Sequence, residues 1–247
     1  MNPRRVILLA LSIAVLFAQA PPPQRPAGGG NRGPNIAPVE EIGFVSIFDG
    51  TSLKGWDGDP DFCRVDGGAI VGQTTKEHQP KQNTFIIWRG GSTGNFELKL
   101  DYKLTGFNSG IQFRSNELPD IKWAMKGYQA DIDGQQQFTG QIYEERARGF
   151  LALRGQATYI GDGNNKKPGL VASLGDNLKD FIKGDDWNSM HLIARGNTIV
   201  QVLNGHVMSM LIDDDTVGRR MDGLLGIQVH LGPPMKIEVK NIRIKTL

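Results

Sequence analysis

Four stretches of this 247-residue chain place groups that can move protons or read hydroxyls on one side of an apolar alternation. In 106–115, period-2 spacing puts Ser109, Ile111 and Phe113 on one face and Asn108, Gln112 and Arg114 on the other. In 127–134, Tyr128, Ala130 and Ile132 oppose Gln129, Asp131 and Asp133. In 140–146, Ile142 faces a core, so Gln141, Tyr143 and Glu145 fall on the polar side. In 223–230, Leu225, Ile227 and Val229 turn inward while Gln228 and His230 turn outward. Carboxylates and an imidazole suit general acid–base work. Amides and a guanidinium are planar, multi-donor groups suited to hydroxyls, carbonyls or carboxylates. One such strand reads equally well as a solvated outer face, since antiparallel sheets commonly solvate one side. Repetition over four stretches favours a site. Asp131 and Asp133 lie close enough to repel, with Arg114 a natural partner if the strands are neighbours; Asp133 equally suits a cap on the turn at Gly134.

Positioning these groups requires a sheet, and the rest of the chain supplies strands. Residues 96–102 alternate Phe96, Leu98, Leu100 and Tyr102 with Glu97, Lys99 and Asp101. Phe85, Ile86, Ile87 and Trp88 form a buried apolar run. Gly67-Gly68, Gly196-Asn197 and Asn204-Gly205 are hairpin turn signals, and 235–244 alternates with an irregularity expected at Asn241. Residues 155–184 read as irregular, with a short helix over 178–182. Many strands without βαβ alternation predict an all-β, two-sheet antiparallel jelly-roll sandwich.

Composition narrows the function. A formal net charge of +2, with no basic stripe interleaved with aromatics, argues against nucleic acid as a partner. The single cysteine, Cys63, excludes an intrachain disulfide and multi-cysteine metal sites, and its apolar surroundings predict a buried structural thiol. The run Asp213-Asp214-Asp215 lacks flanking acids at ligand spacing and reads as a solvated turn. At the N-terminus, Arg4 and Arg5 precede an apolar run and the small-x-small triplet Ala18-Gln19-Ala20, the pattern of a signal peptide over 1–20. Pro21 would follow the cut, so the segment is also compatible with an uncleaved membrane anchor. A Pro/Gly-rich linker spans 21–41 and the folded domain 42–247. The expected location is exported, periplasmic or extracellular.

These segments also carry a resemblance. Phe48-Asp49-Gly50 with Gly55-Trp56, Asn108-Ser109-Gly110-Ile111 with Phe113-Arg114, and Gly127-Tyr128-Gln129-Ala130-Asp131-Ile132 occur in order. Tyr143-Glu144-Glu145-Arg146, Leu203-Asn204-Gly205, and 223–230 followed by Gly232-Pro233-Pro234 continue the series. In this order and spacing the chain resembles the 3-keto-disaccharide hydrolase family, whose fold is similar to the concanavalin A-like lectin/glucanase sandwich. Many members carry Gly-x-Glu-x-Gln where this chain has Gly127-Tyr128-Gln129-Ala130-Asp131. The resemblance implies cleavage of glycosides already oxidised at C3. A C3 ketone acidifies the C2 proton, a base removes it, the C1 substituent leaves by β-elimination, and water then adds. Glu145, His230 and Asp131 are the candidate catalytic residues. Asn108, Gln112, Arg114, Gln129, Tyr143 and Gln228 are the candidate substrate-binding residues. The expected partner is a carbohydrate substrate, with no cofactor; a divalent cation on Asp131 or Glu145 is the alternative source of the electrophile. The competing expectation is a non-catalytic carbohydrate-binding module.

Overall fold

Apolar residues recurring at every second position produce strands, and the computed structural model describes seventeen of them within residues 41–164 and 166–247. In chain order they are β1 (Val45–Ser46), β2 (Trp56–Asp57), β3 (Cys63–Asp66), β4 (Ala69–Gln73), β5 (Thr84–Trp88) and β6 (Phe96–Gly106). There follow β7 (Asn108–Glu117), β8 (Met125–Asp133), β9 (Ile142–Glu145), β10 (Gly149–Ala152), β11 (Gln156–Ile160) and β12 (Gly169–Ser173). The last are β13 (Asn188–Arg195), β14 (Thr198–Leu203), β15 (His206–Asp213), β16 (Leu224–Val229) and β17 (Met235–Thr246). The expected signal peptide at 1–20, and all but the last residue of the expected linker, lie outside the described residues.

The strands make two sheets. A ten-stranded sheet runs β12-β11-β15-β14-β13-β6-β17-β4-β3, with β1 paired to β17. A seven-stranded sheet runs β10-β9-β8-β7-β16-β5-β2. The core fills the space between them. Leu98, Leu100, Tyr102, Leu192 and Ile237 come from the larger sheet, and Ile111, Phe113, Tyr128, Ile132 and Ile227 from the smaller. Burial of these side chains, at about 25 cal/mol per Å² of apolar surface, is the main force holding the layers together. The fold is therefore the expected all-β sandwich.

Local signals act as their chemistry predicts. Gly67 and Gly68, both at positive φ, close the β3–β4 hairpin, and Asn204-Gly205, likewise at positive φ, closes β14–β15. Asn241 adopts φ 53° and interrupts the β17–β6 register between Lys240 and Arg243.

Three expectations are corrected. Residues 155–184 are not irregular throughout. They contain β11 and β12 as well as a 3-10 turn, Leu178–Phe181, and β11 runs parallel to β15. The parallel neighbour supplies the backbone partners that a hairpin signal did not announce. Asp213-Asp214-Asp215 is not a solvated turn: Asp213 and Asp215 are each 1% exposed, bonded to Arg148 and, for Asp215, Lys166. Arg114 does not share the outer face of β7 with Asn108. The β7–β8 register shifts between Phe113 and Asn116, and Arg114 takes φ 44° there, so the alternation breaks and its side chain leaves that face.

Candidate active site on the outer face of the seven-stranded sheet

Residues that alternate with the core positions of β7, β8, β9 and β16 face away from the larger sheet, and their side chains line a cavity of about 330 Å³. That volume is at the small end of the range for ligand pockets, roughly 300–1,000 Å³. Seven of the nine expected site residues meet there: Asn108, Gln129, Asp131, Tyr143, Glu145, Gln228 and His230. The register explains the convergence. Gly110 pairs with Asp131 and Gln129 with Tyr143 across adjacent strands, which brings three strands' outer residues into one row.

Asp131 is the centre of the hydrogen bonding. Asn108 Nδ2 donates to Asp131 Oδ1 at 3.2 Å, and Gln129 Nε2 approaches the same oxygen at 3.5 Å. The Ile132 backbone amide also bonds this carboxyl. Burial pushes the Asp131 carboxyl up to about 7; the amide bonds from Asn108 and Gln129 act against this, and the Asp133 carboxylate adds to it. Gln129 Nε2 also lies 3.4 Å from Gln228 Oε1, although β7 runs between β8 and β16. Gly110 makes that reach possible, because a Cβ there would meet the Gln129 side chain at 2.5 Å.

Glu145 is 9% exposed and accepts from Asn83 Nδ2 at 3.4 Å, with Arg146 Nε 3.9 Å from the same Oε1. His230 Nδ1 lies 2.5 Å from the Leu231 carbonyl, which can only accept, so Nδ1 carries the hydrogen and Nε2 the lone pair. Burial lowers the His230 pKa below its ordinary 6.5, against the opposing pull of the Leu231 carbonyl and Glu145, so the ring is neutral at pH 7. Phe107 packs edge-on against it, centroids 5.1 Å apart. Burial raises the Tyr143 phenol, and Glu145 and Asp131 raise it further.

Two expected residues are elsewhere. Gln112 shares the outer face but is fully buried beneath a small apolar cap of Phe85, Ile87 and Met125. Its amide lies against Ser115 Oγ and the Tyr128 carbonyl, while Gly226 gives the Met125 sulfur room to lie across β16. Arg114, 1% exposed, reaches the opposite way. It donates to the carbonyls of Gly94 (2.9 Å), Gly196 (2.7 Å) and Arg220 (3.4 Å) and to Asn95 Oδ1 (3.2 Å). It is a loop-tying residue, and its guanidinium pairs with neither Asp131 nor Asp133.

Sequence reasoning missed Asn83, Phe107, Phe138 and Phe150 in the lining. Phe150 faces Tyr143 across the β9–β10 pair, with centroids 5.1 Å apart, and stacks on Phe138 at 5.6 Å. An outward aromatic opposite Tyr143 was the available signal; Phe138 comes from a loop and gave none. Asp133 serves the alternative role foreseen for it: Oδ2 accepts from the Gln137 amide at 2.7 Å and shapes that loop. Among the described residues, no three His, Cys, Asp or Glu side chains are grouped to hold a metal ion.

The family model for the 3-keto-alpha-glucoside-1,2-lyase-like domain matches residues 43–245. The chain belongs to that family. The match embraces every strand that builds the cavity. No curated protein matches the sequence. Among solved structures, the chain is similar to a candidate glycosyl hydrolase from Parabacteroides distasonis, at 21% identity and a TM-score of 0.57 over 86% of this chain and 99% of that one. A carbohydrate-binding module from Bacillus subtilis is similar at 15% identity and a TM-score of 0.50, over 78% of this chain and 96% of that one. A protein of galectin-like fold, also from Bacillus subtilis, has 13% identity and a TM-score of 0.51 over 78% of this chain and 90% of that one. At these identities the likeness is one of fold, a two-sheet β-sandwich.

Proposed function

We propose that the protein cleaves 3-keto-glycosides by C2 deprotonation, β-elimination and hydration, as an exported enzyme. One observation carries the reading: His230, its Nδ1 on the Leu231 carbonyl and its Nε2 lone pair free, and the buried Asp131 carboxyl, its pKa pushed up by burial, line the same cavity. Family membership supports the substrate class. His230 Nε2, with its free lone pair, is the base that takes the C2 proton. The electrons left at C2 delocalise into the C3 carbonyl as an enolate, for which the amides of Asn108 and Gln228 are the nearby hydrogen-bonding groups. They then return to form the C1–C2 double bond as the C1–O bond breaks. The Asp131 carboxyl gives its proton to the departing oxygen. Water adds across the double bond, with Glu145 as the assisting base, and the sum is hydrolysis. Oxocarbenium chemistry and its carboxylate pair at fixed separation are not needed. Export is proposed from the N-terminal pattern of basic residues, apolar run and small-residue triplet.

The test compares 3-keto-glucosides with the same glucosides unoxidised, followed by NMR in deuterated water with and without chelator. Aglycone release from the keto forms alone, with deuterium at C2, supports the reading; equal cleavage of both forms, or none, defeats it. Chelator sensitivity reports on a cation. The half-exposed Phe138–Phe150 pair favours a second reading, sugar binding without turnover, because an aromatic face suits the C–H side of a pyranose. Saturable shifts without product formation would select it.

A further inference from the structure

A second cavity, of about 320 Å³, lies on the other side of the loop spanning 74–83. That loop is anchored beside the first cavity: Asn83 Oδ1 accepts from the Leu231 amide at 3.0 Å, and Gln79 Oε1 from the Gly232 amide at 3.1 Å. Gln82 Oε1 accepts from Arg146 Nη2, the guanidinium that leans on Glu145. Asn83 lines the first cavity while Gln79, Gln82 and Thr84 line the second, so one strap separates neighbouring spaces.

The second cavity has a built aromatic lining. The exposed ring of His78 stacks on buried Phe62, centroids 4.6 Å apart and 29° from parallel. Trp123 is fixed by Nε1 donating to Asp57 Oδ1 at 2.9 Å and by its backbone amide donating to Glu117 Oε1 at 2.9 Å. It takes φ 58°, a left-handed conformation unfavourable for a bulky residue and held here by those bonds. The catalytic proposal requires no indole there; the ring also packs against the small apolar cluster of Phe85, Ile87 and Met125. Among the polar lining residues, Asp59 and Asp61 are balanced by Lys81 and Lys122, which suits a ligand without net charge. Thr84, 7% exposed, carries a buried hydroxyl with no hydrogen-bond partner.

We infer that this cavity is a second carbohydrate subsite, binding a neutral pyranose ring of a longer glycan between His78 and Trp123. The inference takes its ligand class from the proposed function but needs no catalysis. Flat rings meet the C–H face of a pyranose, while Asp59 and the Gln79 and Gln82 amides read its hydroxyls. The strap would then lie between two occupied subsites of one oligosaccharide.

The experiment titrates unoxidised cellobiose, cellotetraose, maltose and maltotetraose into the ¹⁵N-labelled full chain and follows the tryptophan indole N–H resonances, with Trp123→Phe assigning one of them. The expected result is a saturable shift of the Trp123 resonance by at least one sugar. His78→Ala should weaken that binding roughly tenfold, the scale of one aromatic contact. His78 is exposed, so that variant retains the indole spectrum that reports a folded chain. Absence of a saturable Trp123 shift with all four sugars, or unchanged affinity in His78→Ala, overturns the inference. Unoxidised sugars have no C3 ketone and cannot undergo the elimination. A shifted Trp123 in a chain that fails to turn over keto-glucosides therefore defeats only the catalytic reading.

Discussion

Asp131 is held between opposed forces, and the balance has two measurable consequences. Its folded pKa, about 7, lies above the ordinary 3.8, so folding favours the protonated carboxyl. The cost is absent below pH 3.8 and grows until pH passes 7, reaching on the order of 4 kcal/mol. Asp131→Asn removes it while keeping an acceptor for Asn108 and Gln129. Chemical denaturation at pH 8 should show the variant more stable than wild type, with the gap closing near pH 4. Under the proposed chemistry the same residue also shapes activity. His230 must be deprotonated, which occurs through a pKa lowered from 6.5 by burial, and Asp131 must be protonated, which fails above about 7. The kcat/KM profile of wild type on a 3-keto-glucoside should therefore be a narrow bell, with His230 setting the acid limb and Asp131 the alkaline limb. Asp131→Asn should lower kcat by roughly 10²–10⁴ and flatten the alkaline limb; a residual alkaline limb in that variant would assign the acid to another group.

At the scale of the element, β7 shows what alternation can and cannot convey. Its first half obeys period 2, so Asn108 and the core positions Ile111 and Phe113 were legible. The Gln129/Asp131 row on β8 and Gln228 and His230 on and after β16 were legible for the same reason. Arg114 was not, because a bulge is a property of pairing: the extra residue is fixed by the β8 partner, and no turn residue marks it. Gln112 was misjudged for a different reason. Its direction was right, but Met125, at the start of β8, lies across Gly226 on the far side of β7 and covers it, a tertiary fact. Two variants separate these roles. In Gly110→Ala the new Cβ displaces the Gln129 side chain; the sheet should persist by circular dichroism while kcat/KM on a keto-glucoside drops by roughly 10-fold or more. In Arg114→Leu three carbonyls and the Asn95 amide oxygen lose their donor, at a cost of about 2–4 kcal/mol. Calorimetry should show a clear fall in Tm. A variant of unchanged Tm that had lost sugar affinity would return Arg114 to the site.

For the molecule as a whole, apolar contact joins the two sheets over most of their area, but one end is joined by charge. Arg148, in the β9–β10 turn of the smaller sheet, bonds Glu144 Oε2 at 2.5 Å, and Asp213 Oδ2 and Asp215 Oδ2 of the larger sheet's β15 end at 2.6 and 3.3 Å. The Tyr128 hydroxyl on β8 donates to Asp213 Oδ2 at 2.5 Å, and Lys166 pairs with Asp215 Oδ1 at 2.5 Å. The three acids are nearly fully buried, so each depends on this guanidinium or on Lys166 for its charge. Asp213 and Asp215 were visible in the sequence as part of an acidic run, but their meeting with Arg148 and Glu144 requires two sheets to be stacked. The cluster also abuts the row of polar residues lining the first cavity, because Glu144 and Glu145 point to opposite faces of one strand. Arg148→Met would leave Glu144 and Asp213 buried without their cation and should cost about 3–5 kcal/mol. Its acid dependence has a definite sign. Burial pushes Asp215 upward, yet Lys166 and the Gly218 and Val217 amides outweigh it and hold the carboxyl at about 2, below the ordinary 3.8. The stability this pairing contributes is present above pH 3.8 and is lost as pH falls through 2. Lys166→Met should remove part of that contribution at pH 7, and its denaturation midpoint should converge on wild type as pH approaches 2. A midpoint difference that did not shrink on acidification would mean that Lys166 stabilises the larger sheet by packing its stem and not by charge.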